Sequence, residues 1–412
     1  MSLTRRAFLN ASLSTAGSAL VAPYVARPAL AADTMKVGAI LDMTGGNAVA
    51  GEMMLAAMQI AADEVNNAGG LLGKQLEIQI YDAQNTMQLY SQYAQQAVMR
   101  DKVVAVHGGL TSASREAIRP VFDRAKTLYF YNVLYEGGVC DRNVVCTGTT
   151  PAQTLNKLVP HALGSFGKKV YILGADYNYG QITAKWMAKY AREGGGKVLG
   201  VEFFPLDVSN FTATISKIQQ AGPDVVLSAL VGSNHTAFYR QWAAAGLGGK
   251  IGIAATTFGG AAELQTMKPQ ETNGIVTGFG YYEELQTPAS VAFVKTVKAK
   301  KPSIAYVGEI GATSYEGMRL WIDAVKAAGT VERDAVVNAI EGGLSIDGPT
   351  GKVTLDAQTH HTIRNAFLGK AVDGKWDVFA SFPDQHPSDT AAVCDLKAHP
   401  NDAKQYVVDV SL

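Results

Sequence analysis

Residues 131–146 read YNVLYEGGVCDRNVVC: two tyrosines, an asparagine and a glutamate, then Cys140 and Cys146. Cysteines can hold a metal, cycle between thiol and disulfide, or staple a loop. A zinc site needs about four ligands at characteristic spacings, and these cysteines have no histidine near them in the sequence. A redox pair is normally Cys-x-x-Cys, which this is not. The preferred reading is a structural disulfide between Cys140 and Cys146, closing a short loop that contributes about 2.4 kcal/mol in the chain-entropy model. Pairing of either one with Cys394, the third cysteine, is the alternative.

Other chemistries find little support. No GxGxxG follows the first strand, and GGLLGKQ (69–75) lacks the Ser/Thr of a phosphate loop. Acyl-transfer chemistry needs a nucleophile with a histidine base. Of the seven histidines only His107 and His235 fall near strand ends, and neither sits in a nucleophile elbow. His360-His361 reads as a surface pair and a weak metal candidate. The chain is expected to be neither an enzyme nor dependent on a cofactor or metal.

What recurs just past successive strands is a set rich in hydroxyls, amides and phenols, with apolar Val133 and Phe258 and the acid Glu136 among them. In the first half these are Thr111, Ser112, Tyr131, Val133, Tyr135 and Glu136. In the second half they are Tyr177, Tyr179, Ser233, Asn234, Thr257 and Phe258. Tyrosines offer a broad apolar face with one polar handle, which suits a small ligand held between two walls. Ser112 opens a helical stretch and can serve as an N-cap or as a donor to a ligand oxygen.

The elements that must position these residues alternate strand and helix. MKVGAIL (35–41), LEIQIYD (76–82), KVVAVHGG (102–109) and TLYFYNV (127–133) are strand-like runs with helical patterns between them. KKVYILGAD (168–176), KVLGVEFF (197–204), PDVVLSAL (223–230), GIAATT (252–257) and NGIVTGFG (273–280) repeat the scheme. Such alternation predicts an α/β fold of two doubly wound, three-layer lobes with parallel sheets. After Tyr281 helical patterns follow one another at about 288–300, 308–328 and 331–341. The end reads as hairpin strands around Asp373-Gly374.

The N-terminus speaks to compartment. Thr4-Arg5-Arg6-Ala7-Phe8-Leu9 precedes a small-residue apolar stretch and Ala29-Leu30-Ala31, the pattern of a twin-arginine export signal cleaved near Ala31. Removing residues 1–31 takes away three arginines and no other charge, leaving 33 basic against 36 acidic side chains and a net charge of −3. No basic block suggests nucleic acid. A monomeric exported protein is expected, in the periplasm.

At this point the sequence resembles a family. MKVGAILDMTGGNAVAGEMMLAAMQIAADEVNNAGGLLGKQLEIQIYDAQN through AVHGGLTSASREAIRPVFD is similar to the solute-binding proteins of branched-chain amino acid and amide ABC transporters, the type I periplasmic binding proteins. YEGGVCDRNVVCTGTTPAQ, ILGADYNYGQ, VVLSALVGSNHTAFYRQW and TPASVAFVK resemble the amide and urea branch most. The resemblance implies two lobes joined by three crossovers near 147–152, 278–283 and 346–356. Lobe one would comprise 32–148 and 282–350, and lobe two 149–281 and 351–412. It implies capture of a short amide or urea-like solute by hinge closure and delivery to a membrane permease, with an amino acid or a small aromatic acid as alternatives. Ser112 matches the family's lobe-one hydroxyl donor, Tyr131 and Tyr135 its next aromatic positions, Tyr177 and Tyr179 the lobe-two aromatic pair, and Thr257 a hydroxyl across the cleft. On this footing the Cys140–Cys146 loop is a stiffened lip of the cleft. Val133 stands where amide-binding relatives have a hydroxyl. The loop Val231–His235 lacks the acid that faces an ammonium in amino acid binders, unless Glu136 or Glu309 substitutes.

Overall fold

The computed structural model describes residues 33–260 and 262–412. The export signal expected at 1–31 lies outside the described residues. The first sheet is built from β1 (Thr34–Leu41), β2 (Gln75–Asp82), β3 (Ala105–Gly108), β4 (Leu128–Tyr131) and, after the short β5 (Val139–Asp141), β6 (Val144–Cys146). Its order is β2-β1-β3-β4-β6, with every neighbouring pair parallel. The connecting helices are α1 (Ala48–Asn67), α2 (Met87–Met99) and α3 (Ser112–Ala125). Val37, Ala39, Val106 and Phe130 are fully buried, as strands covered on both faces require.

The second sheet repeats the plan. After α4 (Leu155–Ser165) come β7 (Lys169–Ala175), α5 (Asn178–Glu193), β8 (Lys197–Phe204), α6 (Thr212–Ala221), β9 (Val225–Ala229), α7 (Ser233–Ala244) and β10 (Gly252–Ala255). The short α8 (Glu263–Thr266) and α9 (Pro269–Thr272) then lead to β11 (Val276–Phe279). The parallel part runs β8-β7-β9-β10-β11. In both sheets the first strand of the lobe lies between the second and the third, so the winding direction reverses beside it. Ligands in doubly wound sheets sit beyond the carboxyl ends of the strands at that switch point.

The remaining chain ties the two sheets together. Helices α10 (Pro288–Lys300), α11 (Glu309–Ala328) and α12 (Arg333–Glu341) follow one another, as the sequence predicts. Trp321, Leu320 and Val325 of α11 pack with Val37, Leu76 and Phe130 in the first sheet's core. Ile346 of β12 (Ser345–Gly348), with Val353 and Leu355 of β13 (Gly351–Leu355), joins that same core. Strands β14 (Thr362–Val372) and β15 (Lys375–Gln385) form the expected hairpin, turning on Asp373 and Gly374 at φ 50° and 77°, the two left-handed residues of a type I′ turn. β14 adds antiparallel to β11.

Two carboxylates of α11, seven residues apart and so on one face, hold the connecting segments. Glu309 accepts from the Thr149 amide at 3.1 Å, its hydroxyl at 2.8 Å and the Gly280 amide at 2.9 Å. Glu316 accepts from the Thr350 amide and hydroxyl at 3.1 and 2.7 Å and from Arg364 at 2.7 Å. Arg364 also donates to the Thr147 carbonyl. Glu309, Glu316 and Arg364 are all buried, so each depends on these partners.

The disulfide differs from the preferred expectation. Cys140 pairs with Cys394, 254 residues away, and Cys146 is a free buried thiol. The two near neighbours face different surroundings. Cys146 ends β6 and belongs to the first sheet's core. Cys140, on β5, packs with Cys394, Leu396 and Tyr406 of the C-terminal strap. That strap contains α13 (Ser388–Ala391) and β16 (Ala403–Gln405), and β16 pairs antiparallel with β5. The staple therefore fastens the chain's end to the loop and does not close the loop on itself. His360 and His361, read as a surface pair, are buried where β14 starts beside β6. His360 bonds to Glu341 at 3.1 Å, and His361 bonds to Tyr135 and to the Thr359 carbonyl.

Candidate ligand-binding site

A cavity of about 350 Å³ lies at both switch points. After β1 it is lined by Gly46 and Asn47, after β3 by Leu110, Thr111 and Ser112, after β7 by Tyr177 and Tyr179, and after β9 by Val231, Gly232 and Ser233. Helices α1, α3, α5 and α7 begin at these places, so four helix starts surround one space.

The local chemistry explains the wall around Ser112. Gly108 lets the chain turn directly off β3: a Cβ there would meet the Ile40 carbonyl oxygen at 2.2 Å. Thr111 then caps α3, its Oγ1 accepting from the Ser114 amide at 3.1 Å, while the Ser114 hydroxyl takes the Thr111 amide at 3.2 Å. Arg115 N bonds back to the Thr111 carbonyl, which leaves the amides of Ser112 and Ala113 as the open donors of a helix start. Such amides, with the helix dipole, favour an anionic or carbonyl oxygen.

Behind Ser112 lies a buried ionic cluster. The Ser112 hydroxyl donates to Glu136 Oε2 at 2.5 Å, and Arg115 donates to Glu136 Oε1 at 2.8 Å. The Arg115 and Glu136 side chains have no solvent exposure. The Arg115 guanidinium also lies 4.9 and 4.5 Å from the ring centres of Tyr131 and Tyr135. Burial opposes the arginine charge, but Glu136 and Glu116 outweigh it and hold the guanidinium's pKa well above its usual value.

The opposite wall is neutral. Tyr179 shares a hydrogen bond of 2.8 Å with Thr256. Thr257 donates to the Leu230 carbonyl at 2.6 Å and lies 2.9 Å from His235 Nε2, so that nitrogen carries the hydrogen of the pair. Burial lowers the His235 pKa to about 3, keeping the ring uncharged at neutral pH. Tyr177 rests against Tyr179, with ring centres 6.1 Å apart. Among the described residues its hydroxyl has no hydrogen-bond partner, and burial raises its pKa well above the phenol value, so it stays protonated and free to donate.

Of the residues singled out from the sequence, Thr111, Ser112, Tyr131, Val133, Tyr177, Tyr179, Ser233 and Thr257 line the cavity together. Tyr135, Glu136, Asn234 and Phe258 do not. Tyr135 turns to His361, and Glu136 backs Ser112. Asn234 ties down the 205–208 loop through the Val208 carbonyl at 2.7 Å, and Phe258 packs with Tyr239 and Trp376. Asn47, Leu134, His235, Glu263 and Glu309 line it as well. Asn47 was findable, since it follows the Gly45-Gly46 turn after β1 as Ser112 follows β3. Glu263 lies on an isolated turn of helix and carried no such signal.

A model of the periplasmic binding protein family matches residues 34–375, most of the chain. The chain belongs to the periplasmic binding protein family. It is a solute-binding protein, not an enzyme, with the type I two-lobe fold. Leu/Ile/Val-binding protein homolog 8 of Brucella abortus (strain 2308) is 25% identical over 337 residues, 77% of this chain and 82% of that protein. Two solved structures share the fold. A solute-binding protein from R. palustris in complex with 4-hydroxybenzoate superposes with a TM-score of 0.77 at 20% identity, covering 87% of this chain and all of that one. A leucine-binding protein from Thermotoga maritima MSB8 does so with a TM-score of 0.75 at 22% identity, covering 86% and 99%. Among the described residues no helix is long and apolar enough to cross a membrane.

Proposed function

We propose that this protein captures a small carboxylic acid with an aromatic or branched apolar body and hands it to a membrane permease. The observation that carries this reading is the cavity itself. About 350 Å³ of space has Leu110, Tyr131, Val133, Leu134 and Tyr177 on its walls and open amide donors at the start of α3. The acid's oxygens suit those amides, and the apolar body suits the aromatic wall. The 4-hydroxybenzoate complex of the R. palustris neighbour and the leucine-binding name of the T. maritima neighbour support ligands of this size. A short amide or urea-like solute, favoured by the motif resemblance, has the right polar groups but leaves most of the space unfilled.

A free α-amino acid is the second reading, favoured by Glu309 on the cavity wall and by the leucine-binding neighbour. Against it, Glu309 is already taken up by three donors of the connecting segments and Glu136 by Arg115. An ammonium left without a counter-charge costs several kcal/mol. Export by the twin-arginine signal at 1–31, periplasmic residence and action as a monomer without nucleic acid complete the proposal, supported by Arg5-Arg6 and the charge of −3.

A thermal-shift panel tests it, with 4-hydroxybenzoate, benzoate, leucine, acetamide and urea on the mature protein. A ligand at a hundred times its Kd stabilises by about 2.7 kcal/mol, a rise of several degrees. A rise with acids and none with urea or acetamide is expected. A rise confined to urea or acetamide would overturn the acid.

A further inference from the structure

We propose that Glu136, held from behind by Arg115 and by Gln405 of the C-terminal strap, is a positioning residue that sets which way the Ser112 hydroxyl points. It thereby sets the preference of the site between an acid and the corresponding amide, an inference that rests on the ligand class proposed above.

The hydroxyl has one hydrogen, and it goes to Glu136 Oε2 at 2.5 Å. Arg115 Nη1 donates to the Ser112 Oγ itself at 3.3 Å. What Ser112 then offers the cavity is a lone pair, which accepts from an amide NH₂ but repels a carboxylate oxygen. An acid seated on the first turn of α3 gains this hydroxyl only if it turns from Glu136 to the ligand. Oε2 then loses its donor, and the charge rests on what Oε1 retains: Arg115 Nη2 at 2.8 Å, Gln405 Nε2 at 2.5 Å and Asn178 Nδ2 at 3.4 Å. The better those donors satisfy Glu136, the less the turn costs.

Gln405 is the donor whose role is least expected. It lies outside the cavity lining, on β16, and is brought to Glu136 by pairing with β5 and by the Cys140–Cys394 disulfide. A second bond from its amide to the Gly137 carbonyl at 3.1 Å fixes its orientation. The end of the chain is thus a working part of the binding wall.

The experiment is titration calorimetry of wild type and Gln405→Leu with 4-hydroxybenzoate and 4-hydroxybenzamide, or with leucine and leucinamide if leucine is the acid wild type binds. Loss of a hydrogen bond to a charged group corresponds to about tenfold. The acid is expected to weaken by about that factor while the amide changes by less than about twofold. Equal weakening of both would mean that the strap only supports the fold, and an unchanged ratio would likewise overturn the inference. Wild type binding no acid at all would overturn the proposed ligand class and this inference with it.

Discussion

The two walls of the cleft share a strand order but are held by different forces. The α3 wall is backed by buried ions: Arg115 with Glu136, and Arg119 with Asp141 at 2.9 Å and Glu116 at 2.6 Å. The α5 and α7 wall is backed by neutral bonds, Tyr179 to Thr256 and Thr257 to Leu230 and His235, over an aromatic core of Phe238, Tyr239 and Phe258. An ionic wall fails all at once when one partner is removed, because the other is left charged in the interior. A neutral wall loses about one bond's worth at a time. Under the proposed function, the ionic wall would fix the polar end of the ligand and the neutral wall would adapt to its body.

The largest effect that tests this contrast is Arg115→Met. Leaving Glu136 buried without its cation should cost about 3–5 kcal/mol in denaturant unfolding. A cost near 1 kcal/mol would erase the distinction between the walls. Next is Cys394→Ser, which frees the strap and should cost about 2–5 kcal/mol, with reductant producing the same loss in wild type. Thiol counting under denaturation should find one free thiol before reduction and three after it; three before reduction would remove the staple.

Acid pH probes the neutral imidazoles. Burial lowers His235 and His107 to about 3 and His361 to about 4, against about 6.5 in the unfolded chain. The unfolded chain therefore takes up protons first as pH falls. The stability these rings contribute is whole above about pH 6.5 and drains between there and pH 3–4, at up to about 1.4 kcal/mol per pH unit for each ring. Urea unfolding at pH 7 and pH 5 measures this, and His235→Phe should flatten its share. Stability unchanged between those values would contradict the buried neutral rings. The smallest effect is Tyr179→Phe, which removes one hydroxyl bond and should cost about 1 kcal/mol.

Much of this was legible because it is local. Strands such as KVYILGA and VVLSA announce themselves by β-branched runs, and doubly wound topology directs attention to the residues after them, hence Ser112, Tyr177 and Thr257. The same logic followed past Gly46 would have reached Asn47. What stayed hidden depends on pairings distant in sequence. Cys140 finds Cys394 because β16 adds to β5, and nothing in a three-residue strand near the chain's end advertises that. Glu136 reads as a ligand-facing acid in sequence because its partner Arg115 lies 21 residues earlier, on α3. His360 and His361 looked exposed because their cover is β6, more than two hundred residues earlier. Glu309, in the sequence a candidate counter-charge for an ammonium, instead joins two connecting segments through its carboxylate.

The measurement closest to the central claim is titration calorimetry of the mature protein and its Ser112→Ala variant with 4-hydroxybenzoate, beside urea as a control. The account predicts saturable binding to wild type with a negative heat-capacity change, as burial of an apolar body requires, and affinity about tenfold or more weaker in Ser112→Ala. Saturable binding of urea with no heat from the acid, or acid binding indifferent to Ser112, would contradict it.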